Sequence, residues 1–338
     1  MKRKVILDVD TGSDDACAIM LAELRKEIDL VAVCTVKGNQ PLKYTNENTL
    51  RIRELLKADF PVYKGCADGF VSYLVKPRLQ RAKNVDAYDE QGNKVHIHTK
   101  LFDLPKAKRK EEDMPASLFY LDYLKHCKEK VTIVMVGPLT NLAVALLIDP
   151  SIVKNIEEIV IMGGAHNITN VSSSAEFNIY DDPEAAQRVL HCGAKITMVP
   201  LDATHTAYIT KETSKELRKI DTPASRFAAD LIDLRILVHD QAQPLEVKGS
   251  CALHDPLCIA YLIDPKVLKD VRLCNVEVSL SGFTIGQTIV DNRFYQEDRN
   301  VYFAFKGDPK RFAKIFTEAF RSLIHQSPVS YRAFIHSS

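Results

Sequence analysis

The chain has 338 residues, of which 46% are hydrophobic, enough for one large α/β domain or two smaller ones around a substantial core. Its 45 lysines and arginines nearly balance its 44 aspartates and glutamates, which argues against a nucleic-acid-binding protein. No apolar run approaches the roughly 20 residues that cross a bilayer, so no membrane segment is expected. The N-terminal Met-Lys-Arg-Lys leads directly into a strand pattern, unlike a signal peptide, and we expect a cytoplasmic protein.

The first strand pattern and the turn after it carry four aspartates within eight residues. An apolar, β-branched run contains Asp8 and leads to Asp10, and Asp14 and Asp15 then begin a helical pattern. Carboxylates this close repel one another unless a positive charge lies among them, and a divalent cation supplies one. Helix capping explains acidic residues in a first helical turn, but it does not explain Asp8 and Asp10. The stretch therefore predicts a site for a metal ion or a polar ligand, with Ser13 capping the helix.

Strand patterns alternate with helical patterns along the chain, which predicts a Rossmann-like α/β fold, an open, mostly parallel sheet with helices on both faces. No repeat, low-complexity tract or linker divides the sequence, so we expect one domain over 1–338. Ligands of such sheets bind at the carboxyl ends of the strands, where Asp10 and Asn39 lie. The predicted strands are 5–9, 30–36, 62–63, 131–136, 159–162, 196–201, 275–280, 284–290 and 301–305, and the clearest predicted helices are 16–24, 45–56, 116–127, 211–219, 224–238 and 309–323.

Residues 67–113 interrupt this alternation. The segment is polar and rich in lysine and arginine, has a turn signal at Gly92, and holds His96 and His98 close together. A long, poorly patterned segment inside a compact domain is often a lid or a binding loop. A solvated excursion from the fold is the alternative interpretation, and the sequence leaves both open.

Polar residues cluster again after the strand predicted at 159–162. Two glycines follow Met162 and permit close approach by a ligand. The run from 167 to 178 contains several amides and hydroxyls, together with Glu176 and Phe177. Amides and hydroxyls can hydrogen-bond vicinal hydroxyl groups, and a ring can pack on a sugar. The run is therefore a candidate sugar-binding segment.

A third polar feature precedes an apolar helical pattern that runs through Leu262. Asp255 stands directly before Pro256, and proline at a first helical position behind an aspartate is a cap pattern. The pattern predicts that Asp255 caps a helix beginning at Pro256. His254 beside this cap is unusual and, because imidazole titrates near neutrality, is a candidate catalytic acid.

Six motifs follow one another along the chain: Asp10-Thr11-Gly12-Ser13-Asp14-Asp15, Gly38-Asn39, Gly137-Pro138-Leu139-Thr140-Asn141, Met162-Gly163-Gly164, Ala175-Glu176-Phe177-Asn178 and His254-Asp255-Pro256. In this order and spacing the sequence resembles the nucleoside hydrolases, the calcium-dependent N-ribohydrolases of the inosine–uridine-preferring type and their ribonucleoside relatives. The likeness runs from residue 4 to about 324. It implies an enzyme that hydrolyses the N-glycosidic bond of ribonucleosides to ribose and free base, and a homodimer or homotetramer.

The resemblance also implies roles for individual residues. The ligands of Ca²⁺ would be Asp10, Asp15, the backbone carbonyl of Val136 and Asp255, an all-oxygen set that suits a hard cation. Asp10 would act as general base toward a water, whose attack from the opposite face would invert the anomeric carbon. The departing base needs a proton or a site that stabilises its anion, and His254 is the candidate for this role. The predicted substrate contacts are Asp14, Asn39, Met162, Asn170, Glu176, Phe177 and Asn178 on the ribose and His98 on the base.

Some positions depart from the family's pattern. Thr11 stands where the family usually has proline, the glycines that usually follow the base-loop histidine are absent from 95–102, and 230–240 contains no tyrosine. Base preference is therefore left open. Asp8 lies outside the implied ligand set, and we expect it to support the turn from behind.

Two other functions fit part of the sequence. Asp8, Asp10 and Thr11 after an apolar strand are similar to the nucleophile motif of haloacid-dehalogenase-like phosphatases, but a phosphatase of this kind leaves Glu176 and His254 without a role. A non-catalytic ribose- or nucleoside-binding protein would keep the same pocket, yet the retained Asp10 and the complete ligand set argue against it.

Overall fold

The computed structural model describes residues 2–72, 74–75, 86–293 and 298–326. Among the helices in these ranges, none is both long and apolar enough to span a bilayer. The strands are β1 (Arg3–Val9), β2 (Ile28–Thr35), β3 (Val62–Lys64), β4 (Ala87–Tyr88), β5 (Lys94–Val95), β6 (Val131–Met135), β7 (Ile156–Met162), β8 (Ile196–Val199), β9 (Ile209–Thr210), β10 (Ser250–Cys251), β11 (Leu268–Val278), β12 (Thr288–Asp291) and β13 (Val301–Gly307). The helices are α1 (Ser13–Leu24), α2 (Leu42–Leu56), α3 (Ala116–His126), α4 (Thr140–Ile148), α5 (Phe177–Asp181), α6 (Pro183–Leu190), α7 (Leu201–Thr206), α8 (Lys211–Ile220), α9 (Pro223–Ala242), α10 (His254–Ile263) and α11 (Pro309–Arg321).

The described strands form a nine-stranded central sheet in the order β12-β11-β13-β8-β7-β6-β1-β2-β3. Neighbouring strands are parallel from β3 to β13, and β11 and β12 join one edge in antiparallel pairing. The predicted mostly parallel α/β sheet is confirmed. Because β2 and β6 lie on opposite sides of β1, the carboxyl end of β1 is a switch point, where ligands of such sheets bind.

Helices cover both faces of this sheet, and side chains of successive strand residues go to opposite faces. Val5 and Leu7 pack in a core that includes α1, α9, α10 and α11, whereas Ile6 packs in a second core that includes α3, α4 and α6. Burial of both cores stabilises the sheet against its helices. The segments that follow β1, β2, β6 and β7 are thereby held at one edge of the sheet.

Two predicted helix caps are wrong. Gly12, not Ser13, is the N-cap of α1, and the Ser13 hydroxyl accepts a hydrogen bond from Arg235 instead. Leu253 is the N-cap of α10 and makes no side-chain cap bond, so Asp255 lies inside the first turn instead of capping it. Both side chains could accept the hydrogen bond that caps a helix, but in the structure neither does so.

Several predicted strand boundaries are also wrong. β8 ends at Val199, because Pro200 lacks an N–H for the ladder and is the N-cap of α7 instead. The strand predicted at 284–290 begins only at Thr288, behind a 3₁₀ turn at Gly282–Thr284. β11 begins seven residues before the predicted 275, in a stretch whose exposed, charged residues hide its strand pattern.

The segment 67–113 contains a short antiparallel hairpin, β4–β5, that the sequence did not predict. Its turn includes Gly92 with φ of 81°, a conformation that favours glycine. The side chain of Gln241 on α9 accepts a bond from the Tyr88 N–H and donates one to the Tyr88 carbonyl, at 3.0 and 2.8 Å. Residues 73 and 76–85 of the proposed lid lie outside the described residues, and a lid function stays a prediction.

Candidate active site

A cavity of about 590 Å³ lies at the edge of the sheet where the parallel strands end. This volume suits a small-molecule ligand, since such pockets usually hold 300 to 1,000 Å³. Asp10 and Asp15 are buried and do not line it. The predicted site residues that do line it are Asp14, Asn39, His98, Val136, Met162, Asn170, Glu176, Phe177, Asn178, His254 and Asp255.

Asp15 organises the turn between β1 and α1. Its Oδ1 accepts a hydrogen bond from the Asp10 N–H at 3.0 Å, and its Oδ2 accepts one from the Gly12 N–H at 2.9 Å. Oδ2 also accepts a bond from the Asn39 side chain at 3.2 Å. Burial and then the Asp14 charge raise the pKa of Asp15 to about 6. In this structure, Asn39 thus contacts a proposed metal ligand as well as the cavity.

Asp10 lies in a narrow space between two glycines. A Cβ on Gly38 would lie 2.0 Å from Asp10 Oδ2, and a Cβ on Gly137 would lie 2.9 Å from Oδ1. Oδ2 accepts a hydrogen bond from the Asn39 N–H, but in the described part of the chain Oδ1 is buried and has no hydrogen-bond partner. Burial, followed by the Asp15 charge, raises the pKa of Asp10 well above its usual range. A buried oxygen of this kind is unfavourable unless a proton or a cation compensates it.

Three further carboxylates meet beside the cavity. One oxygen from each of Asp14, Asp15 and Asp255 lies within 4.8 Å of the other two, and all three residues are buried. Burial and then Asp14 raise the pKa of Asp255 well above its usual range. The cluster could hold a metal ion, and its hard oxygen donors fit an alkaline-earth cation. It overlaps the implied ligand set at Asp15 and Asp255, with Asp14 in the place expected for Asp10.

A buried arginine also lies among these carboxylates, and the sequence interpretation missed it. Arg235 on α9 is 1% exposed, and its Nη1 lies 2.9 Å from Asp14 Oδ1, an ion pair outside hydrogen-bond geometry. The same Nη1 donates a bond to Ser13 Oγ at 2.8 Å, and Nε donates one to the Ala252 carbonyl at 2.9 Å. A signal was present, because Arg235 falls on the buried stripe of α9 with Ile232 and other core residues.

The sugar-binding candidates are positioned by α5 and the carbonyls in front of it. Glu176 is the N-cap of α5, where Oε1 accepts from the Asn178 N–H and Oε2 accepts from the N–H groups of Gly164 and Ile179. Burial raises the pKa of Glu176 to about 7. The Asn178 side chain donates to the Val136 carbonyl at 2.9 Å and to the Met162 carbonyl at 3.0 Å. A carbonyl oxygen has a second lone pair, so this bond leaves Val136 able to ligate a cation.

Two predicted residues stand at the entrance side of the cavity. Asn170 is exposed, and its Oδ1 accepts a hydrogen bond from the Phe177 N–H at 3.0 Å. His98 accepts a bond from the Ser13 N–H at its Nδ1, 3.3 Å away, and this atom is 3.9 Å from Asp14 Oδ1. The segment that carries His98 therefore contacts the first turn of α1 directly.

His254 belongs to a cluster of three imidazole rings. Its Nδ1 lies 2.7 Å from Thr204 Oγ1, and its ring centroid lies 5.7 Å from that of His205 and 6.1 Å from that of His239. Burial, and then the Arg235 charge, lower the pKa of His254 well below its usual range. The ring is therefore neutral near pH 7. His205 and His239 were not predicted, and His239 lines the cavity.

Asp8 does not support the first turn as expected. It belongs to the other face of the sheet, where Tyr120 on α3 donates to Oδ2 at 2.9 Å and the Asn141 side chain lies 3.1 Å from both oxygens. Asn141 also donates to the Thr35 carbonyl at the end of β2. Asp8 thus joins α3 and α4 to the strands. Asp8 lies within β1 on the same face as Ile6, whereas the residues around Asp15 follow the end of the strand and have separate partners.

A parallel α/β sheet with buried carboxylates beside a polar cavity defines an enzyme-like fold with sites for a cation and a small polar ligand. The family model described as "Inosine-uridine preferring nucleoside hydrolase" matches residues 5–314. An inosine-uridine preferring nucleoside hydrolase of Leishmania major is 35% identical over 87% of this chain and 89% of its own length. The pyrimidine-specific ribonucleoside hydrolase RihA of Photobacterium profundum is 36% identical over 86% and 89%.

The structure is similar to that of a purine-preferring ribonucleoside hydrolase from Gardnerella vaginalis, with a TM-score of 0.82 and 32% identity over 96% of this chain and all of that one. The chain belongs to the inosine-uridine preferring nucleoside hydrolase family. The predicted enzyme class, a ribonucleoside hydrolase that cleaves the N-glycosidic bond, is confirmed.

Proposed function

We propose that this nucleoside hydrolase holds one Ca²⁺ at Asp10, Asp15, the Val136 carbonyl and Asp255 and releases ribose and free base with inversion. The observation that carries the proposal is Asp10 Oδ1, which is buried without a hydrogen-bond partner in the described residues, next to a cluster of further carboxylate oxygens. Oxygen donors with several negative charges suit Ca²⁺ better than zinc or copper, which favour nitrogen and sulfur ligands.

Asp10 is proposed as the general base. When bound, Ca²⁺ would supply positive charge that acidifies a water and holds sugar hydroxyls. Asp10 Oδ1 is free to accept the water's proton, whereas Oδ2 is occupied by the Asn39 N–H. The glycines on either side of Asp10 keep the carboxylate in place, which favours an oriented proton transfer.

The sugar would lie in the cavity, among the polar side chains that line it. Asp14, Asn39, Asn170, Glu176 and Asn178 would bind its hydroxyls, with Met162 and Phe177 packing on the ring. The backbone bonds that hold Glu176 and the carbonyl bonds that hold Asn178 keep these side chains in place before substrate arrives. Carboxylates around the sugar would also stabilise positive charge that develops on the ribosyl group as the bond breaks.

His254 is proposed to act on the departing base, with His98 as a base contact. The Thr204 hydroxyl lies 2.7 Å from His254 Nδ1 and 3.3 Å from the Leu201 carbonyl. We assign its hydrogen to the shorter bond, which would place the imidazole N–H of His254 at Nε2. That N–H would donate a hydrogen bond to the base and stabilise its negative charge. The sequence predicts His254 as a catalytic acid, and a neutral imidazole agrees better with this hydrogen-bonding role than with transfer of a full proton.

The substrate is proposed to be a ribonucleoside, of either a purine or a pyrimidine base. Named relatives include inosine-uridine preferring, pyrimidine-specific and purine-preferring enzymes, so they do not select one base. A homodimer or homotetramer and a cytoplasmic location are retained as predictions. The phosphatase alternative is not favoured by the family match.

The test is release of ribose and free base from inosine, uridine, cytidine and adenosine. We expect release from at least one of them, loss of activity with a Ca²⁺-selective chelator, and recovery when Ca²⁺ is added back. Absence of ribose from all four would contradict the proposed hydrolysis. Nucleoside binding without release would identify a non-catalytic binding protein instead. Full activity of thoroughly chelated enzyme would contradict the role of Ca²⁺ alone.

A further inference from the structure

The ion pair between Arg235 and Asp14 lies inside the site, not at its edge. Both residues are buried, and Asp14 lines the cavity. Arg235 contributes a permanent positive charge to a group of four carboxylates. The pair also joins two parts of the site, because Nη1 reaches the first turn of α1 while Nε binds the Ala252 carbonyl just before α10.

The geometry separates the two oxygens of Asp14. Oδ1 faces Arg235 at 2.9 Å and is also the atom nearest the His98 ring, at 3.9 Å. No described residue donates a hydrogen bond to Oδ2. The ion pair keeps Oδ1 beside the buried guanidinium, which limits rotation of the carboxylate and leaves Oδ2 as the oxygen available to a ligand. An arginine suits this task because its planar group binds several partners at fixed angles.

We propose that Arg235 is a positioning residue, which orients Asp14 so that its Oδ2 accepts a hydrogen bond from one ring hydroxyl of the ribose. This inference rests on the proposed function, because it gives Asp14 the sugar as its ligand. Arg235 itself does not touch the substrate. Its consequence is discrimination between ribose and a sugar that lacks that hydroxyl.

The contacts of Ser13 provide a matched control. Ser13 Oγ accepts a bond from the same Nη1, but Ser13 does not line the cavity. The variant Ser13→Ala removes a partner of Arg235 and leaves its ion pair with Asp14. Ser13→Ala would weaken a contact by which Arg235 joins α9 to α1, but it would keep the orientation of Asp14.

The experiment compares kcat/KM for inosine, 2′-deoxyinosine and 3′-deoxyinosine, by single turnover with enzyme in excess for slow substrates. The proteins are the wild type, Arg235→Met, Arg235→Lys and Ser13→Ala, all loaded with Ca²⁺. For Arg235→Met we expect a loss of about 100-fold on inosine, since a small displacement of a positioned group can have that effect. The loss on one of the two deoxynucleosides should stay within about threefold, because that analogue already lacks the hydroxyl.

Arg235→Lys should recover part of the loss on inosine, because it restores the charge without the planar group. Ser13→Ala should remain within about threefold on all substrates. An equal loss on all three substrates, or none on inosine, would overturn the proposal. If Arg235→Met does not fold, the same comparison of substrates in Arg235→Lys decides the question.

A second measurement separates this inference from the proposed function. Calorimetry would compare binding of D-ribose with that of 2-deoxy-D-ribose and 3-deoxy-D-ribose by the wild type and Arg235→Lys. Weaker binding of D-ribose and of one deoxyribose in the variant, with unchanged binding of the deoxyribose that lacks the contacted hydroxyl, supports the role of Arg235, even if the wild type hydrolyses no nucleoside. Equal binding of D-ribose by both proteins would overturn it while leaving hydrolysis unaffected.

Discussion

Asp8 and Asp10 are two residues apart and both are 1% exposed, yet their surroundings differ completely. Both oxygens of Asp8 have partners, in the Tyr120 hydroxyl and the Asn141 amide. Among the described residues, Asp10 has a hydrogen-bond partner on Oδ2 only, and Gly38 and Gly137 lie close to Oδ2 and Oδ1, respectively. Burial raises the pKa of each, for Asp8 to about 7.

The difference shows how burial alone fails to distinguish a structural carboxylate from a functional one. A buried polar group with all its partners stabilises and specifies the fold. A buried oxygen without a donor is unfavourable in the protein alone and indicates a ligand that is absent from the chain itself. The following predictions test this contrast between the Asp8 and Asp10 regions.

The largest effect is expected for Asp10→Asn, which should lower kcat by about 1,000-fold or more. The amide cannot accept a proton as a base, a contribution of 10² to 10⁴ by itself, and it removes a charge from the metal site. The kinetics are measured at saturating Ca²⁺. The matched control is Asp8→Asn, whose kcat should stay within about threefold of wild type. Equal losses in the two variants would contradict the contrast.

Gly38→Ala should reproduce part of this loss without changing a functional group. The added methyl would lie 2.0 Å from Asp10 Oδ2, so Asp10 must move. We expect about 100-fold lower kcat/KM and at least tenfold weaker Ca²⁺ binding, measured by calorimetry. Gly163→Ala is the control for Ca²⁺ binding, because its methyl would lie 3.3 Å from the flexible end of Ile179 and 3.4 Å from Glu176 Oε2, and none of its nearest contacts is with Asp10. Wild-type Ca²⁺ affinity in Gly38→Ala would show that the position of Asp10 does not matter.

In the Asp8 region the expected effect is on stability. Tyr120→Phe removes a donor from a buried carboxylate and should lower the free energy of unfolding by about 1 to 3 kcal/mol, measured with urea. The kcat/KM should remain within about twofold. Tyr123→Phe on the same helix is the control, since its hydroxyl makes no hydrogen bond to a described residue. A large loss of activity in Tyr120→Phe would mean that the two regions are coupled.

The last prediction concerns another buried atom, Nε2 of His239, which has no hydrogen-bond partner among the described residues. Its Nδ1 must carry the proton, because it donates to the Gln243 carbonyl at 3.1 Å. Burial, and then Arg235, lower the pKa of His239 to about 3. A neutral imidazole satisfies this position, so here an unpaired atom does not indicate a cation.

The sign of the pH effect follows from that pKa. The unfolded chain binds a proton at His239 below about pH 6.5 and the folded protein does not, so His239 lowers stability as pH falls from 6.5 toward 3. Between pH 7 and pH 5 the loss is about 2 kcal/mol. For His239→Gln, we expect the free energy of unfolding, measured with urea, to fall by about 2 kcal/mol less than that of the wild type between pH 7 and pH 5. Above pH 7.5, the difference between the two proteins should no longer depend on pH. Parallel pH curves for the two proteins would contradict the neutral assignment.

The sheet could be predicted because apolar strand patterns and turn residues are local signals. The grouping of Asp10, Asn39, Glu176 and Asp255 followed from the rule that parallel strands end at one edge and from the resemblance to a family. The partners of buried polar side chains could not be predicted in the same way. The Ser13 side chain could cap a helix, but its hydroxyl accepts a hydrogen bond from the Arg235 guanidinium instead. Arg235 lies far along the chain, so no local pattern predicts that contact.

Arg235 also changes the first argument from charge. The four close aspartates predict a metal ion or a polar ligand, because carboxylates so close repel one another unless a positive charge lies among them. The fold brings a basic residue to them from α9, so part of the repulsion is offset within the chain. Among the described residues, Asp10 Oδ1 has neither a hydrogen bond nor this arginine as a partner, so the argument for a bound cation applies to it without change.

The bond between Ser13 and Arg235 joins residues 222 positions apart in sequence. Closing a loop of that length lowers chain entropy, and only the packing of a nearly complete fold compensates for it. During synthesis, the first strands emerge long before α9, so a partly made chain has neither the charge balance nor the cavity. Ligands that bind the finished site stabilise the entire fold through mass action. Resistance to proteolysis in the presence of ribose would therefore report on the docking of α9 onto α1.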